Sequence, residues 1–313
     1  MPKSNTFCIC CLIICLSMTS TIWSQQIEGN NGSTATQSTN ELGHLMMIGG
    51  GLIPNNRAIF DKLIQCAGGA EDSRFVILPT ASVSLDAGQS LVKEMGLYGV
   101  SPAHIKVLDV FEHNASTATR DPEILDEVRG ATAVFMTGGD QRRLVRLLTN
   151  SDGSDTPLLQ EIRKVYERRG LIAGTSAGAS AQSETMLAVS GLPDMLVDEG
   201  LDTLDFGLTS DERQRGLLIT RGLDFFQQGI IDQHFLQFRG RLGRLTRATA
   251  DRGVPFGFGI DKNSAMVVEP DGNISIVGGY VLIVEPGQAV GRDGPFGYQI
   301  RDVNISLLSD GDT

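Results

Sequence analysis

Thiols are scarce in this 313-residue chain, and their placement tells more than their number. Four of the five cysteines, Cys8, Cys10, Cys11 and Cys15, fall in the first fifteen residues and leave Cys66 alone in the rest. A disulfide framework in the body of the chain is excluded, because one thiol has no intramolecular partner. Histidine is equally sparse: four scattered residues that, with one cysteine, give no zinc-ligand spacing, so no metal is expected. No G-x-G-x-x-G opens a helix after the first strand, so the dinucleotide fingerprint is missing and no cofactor is expected. Basic residues are outnumbered, 26 Lys+Arg against 37 Asp+Glu, for a net charge of −11. That balance speaks against nonspecific nucleic-acid binding and against anionic membrane surfaces. The chain also lacks internal repeats. Its 41% hydrophobic and 20% charged residues are those of a globular protein.

The apolar run from Phe7 to Met18 is too short for a bilayer, which needs about 20 residues. Lys3 precedes it and the small polar Ser17, Ser20 and Ser24 follow, the layout of a secretory signal peptide. Leu12-Ile13-Ile14 lacks the small residues that a lipoprotein cut at Cys15 prefers. The expected organisation is a signal peptide over 1–24, a disordered spacer over 25–43 and one folded domain over 44–313. The spacer is rich in Ser, Thr, Asn and Gln and has no apolar periodicity. The expected location is secreted or periplasmic, off the membrane once the signal is cut, and a homodimer is left open.

From Leu45 onward the texture alternates. Short apolar runs predict strands at Leu45–Ile48, Phe75–Leu78, Ile105–Val110, Ala131–Met136 and Leu171–Ala173. Helical spacing predicts Arg57–Cys66, a stretch ending at Gly96, Gln141–Leu148 and a helix capped by Thr156-Pro157. Continuous apolar strands alternating with helices predict an α/β fold, a doubly wound, mainly parallel sheet covered on both faces. After residue 263, short strands at Ser264–Val268, Ile274–Val277 and Tyr280–Val284 predict a C-terminal β extension. Parallel sheets place ligands at the carboxyl ends of their strands. The exits Gly49–Gly51, Gly138–Asp140 and Gly174–Gly178 would therefore converge on one rim.

Gly174-Thr175-Ser176-Ala177-Gly178 is a G-x-S-x-G between a predicted strand and a run of small residues suited to a helix. That setting fits a nucleophile elbow, with Ser176 exposed on a tight turn and the Ala177 N–H near a developing oxyanion. An ordinary glycine-rich turn with a capping serine fits the bare pattern too. Among the histidines, His234 stands at the end of the apolar run Ile230-Ile231, after Asp232 and Gln233. Arg239, Arg241 and Arg244 follow as a local basic cluster, either an anion site or the solvated face of a helix.

Met136-Thr137-Gly138-Gly139-Asp140-Gln141, Gly174–Ala179, Asp232-Gln233-His234-Phe235 and Gly257-Phe258-Gly259-Ile260-Asp261 together resemble the motif series of the cyanophycinases. These are serine peptidases related to aspartyl dipeptidases, with a class I glutamine amidotransferase-like, flavodoxin-like fold. The resemblance runs from about residue 45 to at least 285. It implies hydrolysis of cyanophycin, a poly-aspartate carrying arginine on its β-carboxyls, to β-Asp-Arg dipeptides. It implies Ser176 as nucleophile and His234 as base, with Gly139 and Asp140 joining Ala177 in the oxyanion hole. It also implies a substrate pocket of Gln141, Asp232, Gln233, Arg239, Arg241 and Arg244. Relatives read Gly-Ile-Asp-Glu where this chain reads Gly259-Ile260-Asp261-Lys262, and that Glu is a leading candidate for the acid that orients the histidine. Lys262 cannot accept an imidazole N–H; the resemblance also implies a second candidate acid between the serine and the histidine, which by offset falls near Asp194, with Asp198 and Glu199 in the same acidic, loop-like stretch, where solvated loop charge is the other reading. A catalytically weakened relative that binds an Asp/Arg-rich or acidic ligand, and an (iso)aspartyl peptidase with another substrate, are the alternatives.

Overall fold

The structure is a computed structural model that describes residues 42–189, 208–210, 217–238, 240–295 and 297–313. The expected signal peptide, the spacer up to residue 41, Asp194, Asp198, Glu199 and Arg239 lie outside the described residues.

The first half alternates as its sequence pattern requires. Strand β1 (His44–Ile48) leads to α1 (Arg57–Cys66), β2 (Phe75–Leu78), α2 (Asp86–Gly96) and β3 (Ile105–Val107). Then come α3 (Ala115–Ala118), α4 (Pro122–Gly130), β4 (Ala133–Met136), α5 (Gln141–Leu148), α6 (Pro157–Glu167), β5 (Leu171–Thr175) and α7 (Ala177–Ser180). Caps fix the helix starts: the side chains of Asp121, Asp140 and Thr156 each accept from a backbone N–H in the first turn of α4, α5 and α6. Strand β3 is shorter than the run Ile105–Val110 predicts. Asn114 accepts from Phe111 N and donates to Asp109 O, and this side-chain turn draws the chain away from the sheet.

The second half begins with β6 (Thr185–Val189), β7 (Leu208–Thr209), β8 (Leu217–Arg221), β9 (Gly229–Asp232), α8 (Arg241–Arg252) and β10 (Phe256–Ile260). It ends with β11 (Ala265–Val268), β12 (Ile274–Val277), β13 (Tyr280–Glu285), β14 (Arg292–Gly294), β15 (Gly297–Gln299) and β16 (Asn304–Ser309). The main sheet has the order β12-β11-β1-β5-β4-β2-β3, parallel from β1 through β3, with β11 and β12 as an antiparallel edge. A second sheet, β16-β13-β10-β9, is antiparallel except where β9 runs beside β10. The fold is therefore α/β with a mainly parallel central sheet, and the C-terminal strands are divided between the edge of that sheet and the antiparallel sheets.

The alternation of side chains along each strand sets the layers. Met46, Ile48, Phe75, Ile77, Phe135 and Ala173 pack on α1 and α2. Leu45, Met47, Leu78, Met136 and Ile172 face the other way, onto α4 to α7 and onto Ile231, Phe258 and Ile260 of the second sheet. Each large apolar side chain so buried contributes roughly 1.5–3 kcal/mol, and both faces of the central strands do so. The second sheet thus lies against the main one, and β9 ends beside the exits of β1 and β5.

Candidate active site

Glycines bring the turn after β5 against its neighbours. A Cβ at Gly174 would lie 2.2 Å from Gly178 O, and one at Gly178 would lie 2.2 Å from Met136 O, so no larger residue fits either flank of the turn. Ser176 sits between them with φ 53° and ψ −115°, and its N–H donates to Ile48 O at 2.9 Å. A serine at positive φ carries backbone strain of order 1 kcal/mol, which the surrounding contacts hold in place. The strand–turn–helix setting predicted for G-x-S-x-G is present, although α7 is a single turn. Ala177 opens that turn, where an N–H has no intrahelical acceptor.

His234 arrives from the second sheet. It is left-handed, with φ 50° and ψ 42°, and its N–H donates to Gly49 O at 2.7 Å. This places the imidazole Nε2 3.1 Å from Ser176 Oγ. The approach needs a glycine beneath it. A Cβ at Gly50, whose φ is +97°, would lie 2.2 Å from Nε2. The Gln233 Oε1 is a second acceptor for the serine hydroxyl, at 3.4 Å. On the other side of the ring, Nδ1 lies 3.1 Å from Gln237 Oε1.

The nearby carboxylates have other partners. Asp232 is wholly buried; Arg244 holds both its oxygens, Nε to Oδ2 at 2.8 Å and Nη2 to Oδ1 at 2.6 Å, and Arg241 Nη1 reaches Oδ1 at 3.2 Å. Burial alone would raise the Asp232 pKa, but the two guanidiniums and the Gln233 N–H hold it below the usual carboxylate range. Asp261 accepts from Leu236 N at 3.0 Å, and Lys262 is exposed with its stem laid along Gly51. Among the described residues, no carboxylate oxygen lies within 4.0 Å of a His234 ring nitrogen.

The remaining predicted residues fall as follows. Gly138 packs on Ser176, a Cβ there lying 3.2 Å from Ser176 Cβ, so the following Gly139 is beside the site. The Asp140 N–H donates to Ala81 O at 2.9 Å, which leaves it unable to serve an oxyanion in this geometry, and the Asp140 carboxylate caps α5 and pairs with Arg142. Gln141 donates to Leu187 O at 3.0 Å and ties α5 to β6. Arg241 and Arg244 are buried beneath the site, where Arg241 also donates to Gln233 O. They form neither a solvated face nor an open anion pocket in this geometry. Asp194 and Arg239 lie outside the described residues. Sequence reasoning did not single out Gln237. Its signal is positional, three residues after a histidine that leaves a strand into a 3-10 turn, Phe235–Gln237. No cluster of three metal-ligating side chains occurs among the described residues.

Comparison with known proteins bears on this geometry. The chain is 30% identical over 293 residues to a cyanophycinase of Synechococcus elongatus, covering 89% of this chain and 81% of that one. It is 31% identical over 242 residues to a cyanophycinase of Geminocystis herdmanii, covering 75% and 77%. Among solved structures it resembles a peptidase from an acI-B1 Actinobacterium, with a TM-score of 0.49 and 20% identity over 86% of this chain and 97% of that one. Residues 45–276, which contain Ser176, His234 and every strand from β2 through β11, match Peptidase family S51, and the chain belongs to that family of serine peptidases.

Proposed function

We propose that the chain is a secreted cyanophycinase-type serine peptidase that hydrolyses cyanophycin to β-Asp-Arg dipeptides. The observation that carries the reading is the 3.1 Å approach of His234 Nε2 to Ser176 Oγ at the tip of a glycine-flanked turn. With Nε2 unprotonated, the imidazole takes the hydroxyl proton as the oxygen attacks the scissile carbonyl. Negative charge then develops toward the Ala177 and Gly139 N–H groups. His234 returns the proton to the leaving amine, and water repeats the sequence on the acyl-enzyme. Gln233 and Gln141 supply amide groups near the site, while Arg241 and Arg244 support it from below through Asp232. The sequence of residues 1–24 supports export.

Purified protein lacking residues 1–24 should release β-Asp-Arg from cyanophycin, and Ser176→Ala should lower the rate by at least about 10³-fold. An inactive wild type, under conditions where a related enzyme works, would overturn the substrate. Export should leave a mature N-terminus close to residue 25, read by mass spectrometry of the secreted protein. A second reading, a weakened relative that binds such polymers without cutting them, is favoured by one observation: no described carboxylate reaches His234. Tight binding of cyanophycin by wild type with turnover no faster than in Ser176→Ala would select it.

A further inference from the structure

We propose that Gln237 is the positioning residue for His234, an amide standing where serine hydrolases commonly place a carboxylate. The inference rests on the peptidase reading above and adds a role that the nucleophile and base alone do not define.

A histidine acts as base at Nε2 only if its proton resides on Nδ1, and the partner of Nδ1 decides this. Gln237 Oε1 is a pure acceptor 3.1 Å from Nδ1, so it draws the proton there and leaves Nε2 facing Ser176. The amide turned over would donate to Nδ1 and extinguish the base. The backbone beneath the amide is fixed from both sides. Asp261 accepts from Leu236 N at 3.0 Å, and the buried Phe235 ring covers Gly259, where a Cβ would lie 2.4 Å from it. The left-handed His234 then turns the chain so that the residue three positions on reaches back to its own ring. Among the described residues, the nearby carboxylates are engaged elsewhere: Asp232 with Arg241 and Arg244, and Asp261 with the Leu236 N–H. Lys262, the following residue, has its exposed side chain along Gly51.

An amide fixes the tautomer but adds no negative charge to steady the imidazolium. Gln237→Glu should therefore move the acidic limb of kcat/KM to higher pH by about one unit and raise kcat by up to about tenfold. Gln237→Met should lower kcat by about 10–100-fold and leave KM within about twofold, since the change is in the base and not in substrate binding. Nitrogen NMR of the full chain, labelled at histidine, should show His234 protonated at Nδ1 in wild type and a mixture of tautomers in Gln237→Met. Unchanged tautomer and pH profile in both variants would overturn the proposal. A profile that moves instead in Asp194→Asn would do the same and assign the role to a carboxylate from 190–207. If no form of the protein hydrolyses cyanophycin, the NMR result alone decides on Gln237, so the failure of the peptidase reading is told apart from the failure of this one.

Discussion

At the start of β1, His44 holds a carboxylate: its Nε2 lies 3.1 Å from Glu269, which Lys62 also grips at 2.7 Å. At the far end of the same strand, Gly49 and Gly50 receive His234, whose ring meets a serine and an amide. By the usual shorthand for a catalytic histidine, the first pair looks better equipped. It is the second that stands among left-handed residues and glycines where a Cβ cannot fit. Burial pushes the His44 pKa down further than Glu269 pulls it up, so this imidazole is held neutral and serves to knit β1 to the segment after β11. A histidine–carboxylate pair is thus poor evidence of chemistry. Backbone held in costly conformations around a serine and a histidine in contact is better evidence, because such strain persists only where surrounding structure holds it in place.

The contrast can be broken or sharpened. The largest effect is expected at Gly50→Ala, which combines a Cβ 2.2 Å from Nε2 with an unfavourable φ of +97°. Hydrolysis should fall by at least about 100-fold, as a displaced base loses its aim, whereas His44→Gln should leave it within about twofold. Equal losses in the two variants would erase the distinction between the ends of β1. Next comes Asp232→Ala, which removes the carboxylate shared by two buried arginines and should cost about 3–5 kcal/mol in urea unfolding. The sign with pH follows from its depressed pKa: the stabilisation is present above about pH 4 and is lost as pH falls through the folded value, so the variant should lose less than wild type on acidification. The smallest effect concerns His44. Its folded pKa is lowered, so its contribution is full above the unfolded value of about 6.5 and drains away below it. His44→Gln should flatten the decline of Tm between pH 7 and 5, and an unaltered slope would assign that decline to other groups.

Most of the parallel sheet was legible because it is written in local pattern. The helices Arg57–Cys66 and Gln141–Leu148 and the cap at Thr156 stand where spacing predicts them. Ser176 and His234 were legible for a similar reason: each is announced by a short motif at a strand end, and their meeting needs only that strand ends converge. The surroundings of His234 were not. Arg241 and Arg244 read from sequence as a solvated face or an anion site because arginine is normally exposed. Only the tertiary placement of Asp232 against α8 makes burial favourable for them, and no spacing along the chain encodes that. Gln237 was missed because a search for a histidine's partner looks for an acid, and because a single 3-10 turn leaves no periodic trace.

Ser176 and His234 share one property that bears on how this protein can be altered: both have positive φ, 53° and 50°. Glycine is the residue least strained there. Selection for thermal resistance alone, by random mutagenesis, would therefore favour replacing both side chains and would enrich well-folded descendants that lack the serine–histidine pair. Any campaign to harden this scaffold has to screen for turnover at every round, since at these two positions durability and chemistry pull the sequence in opposite directions.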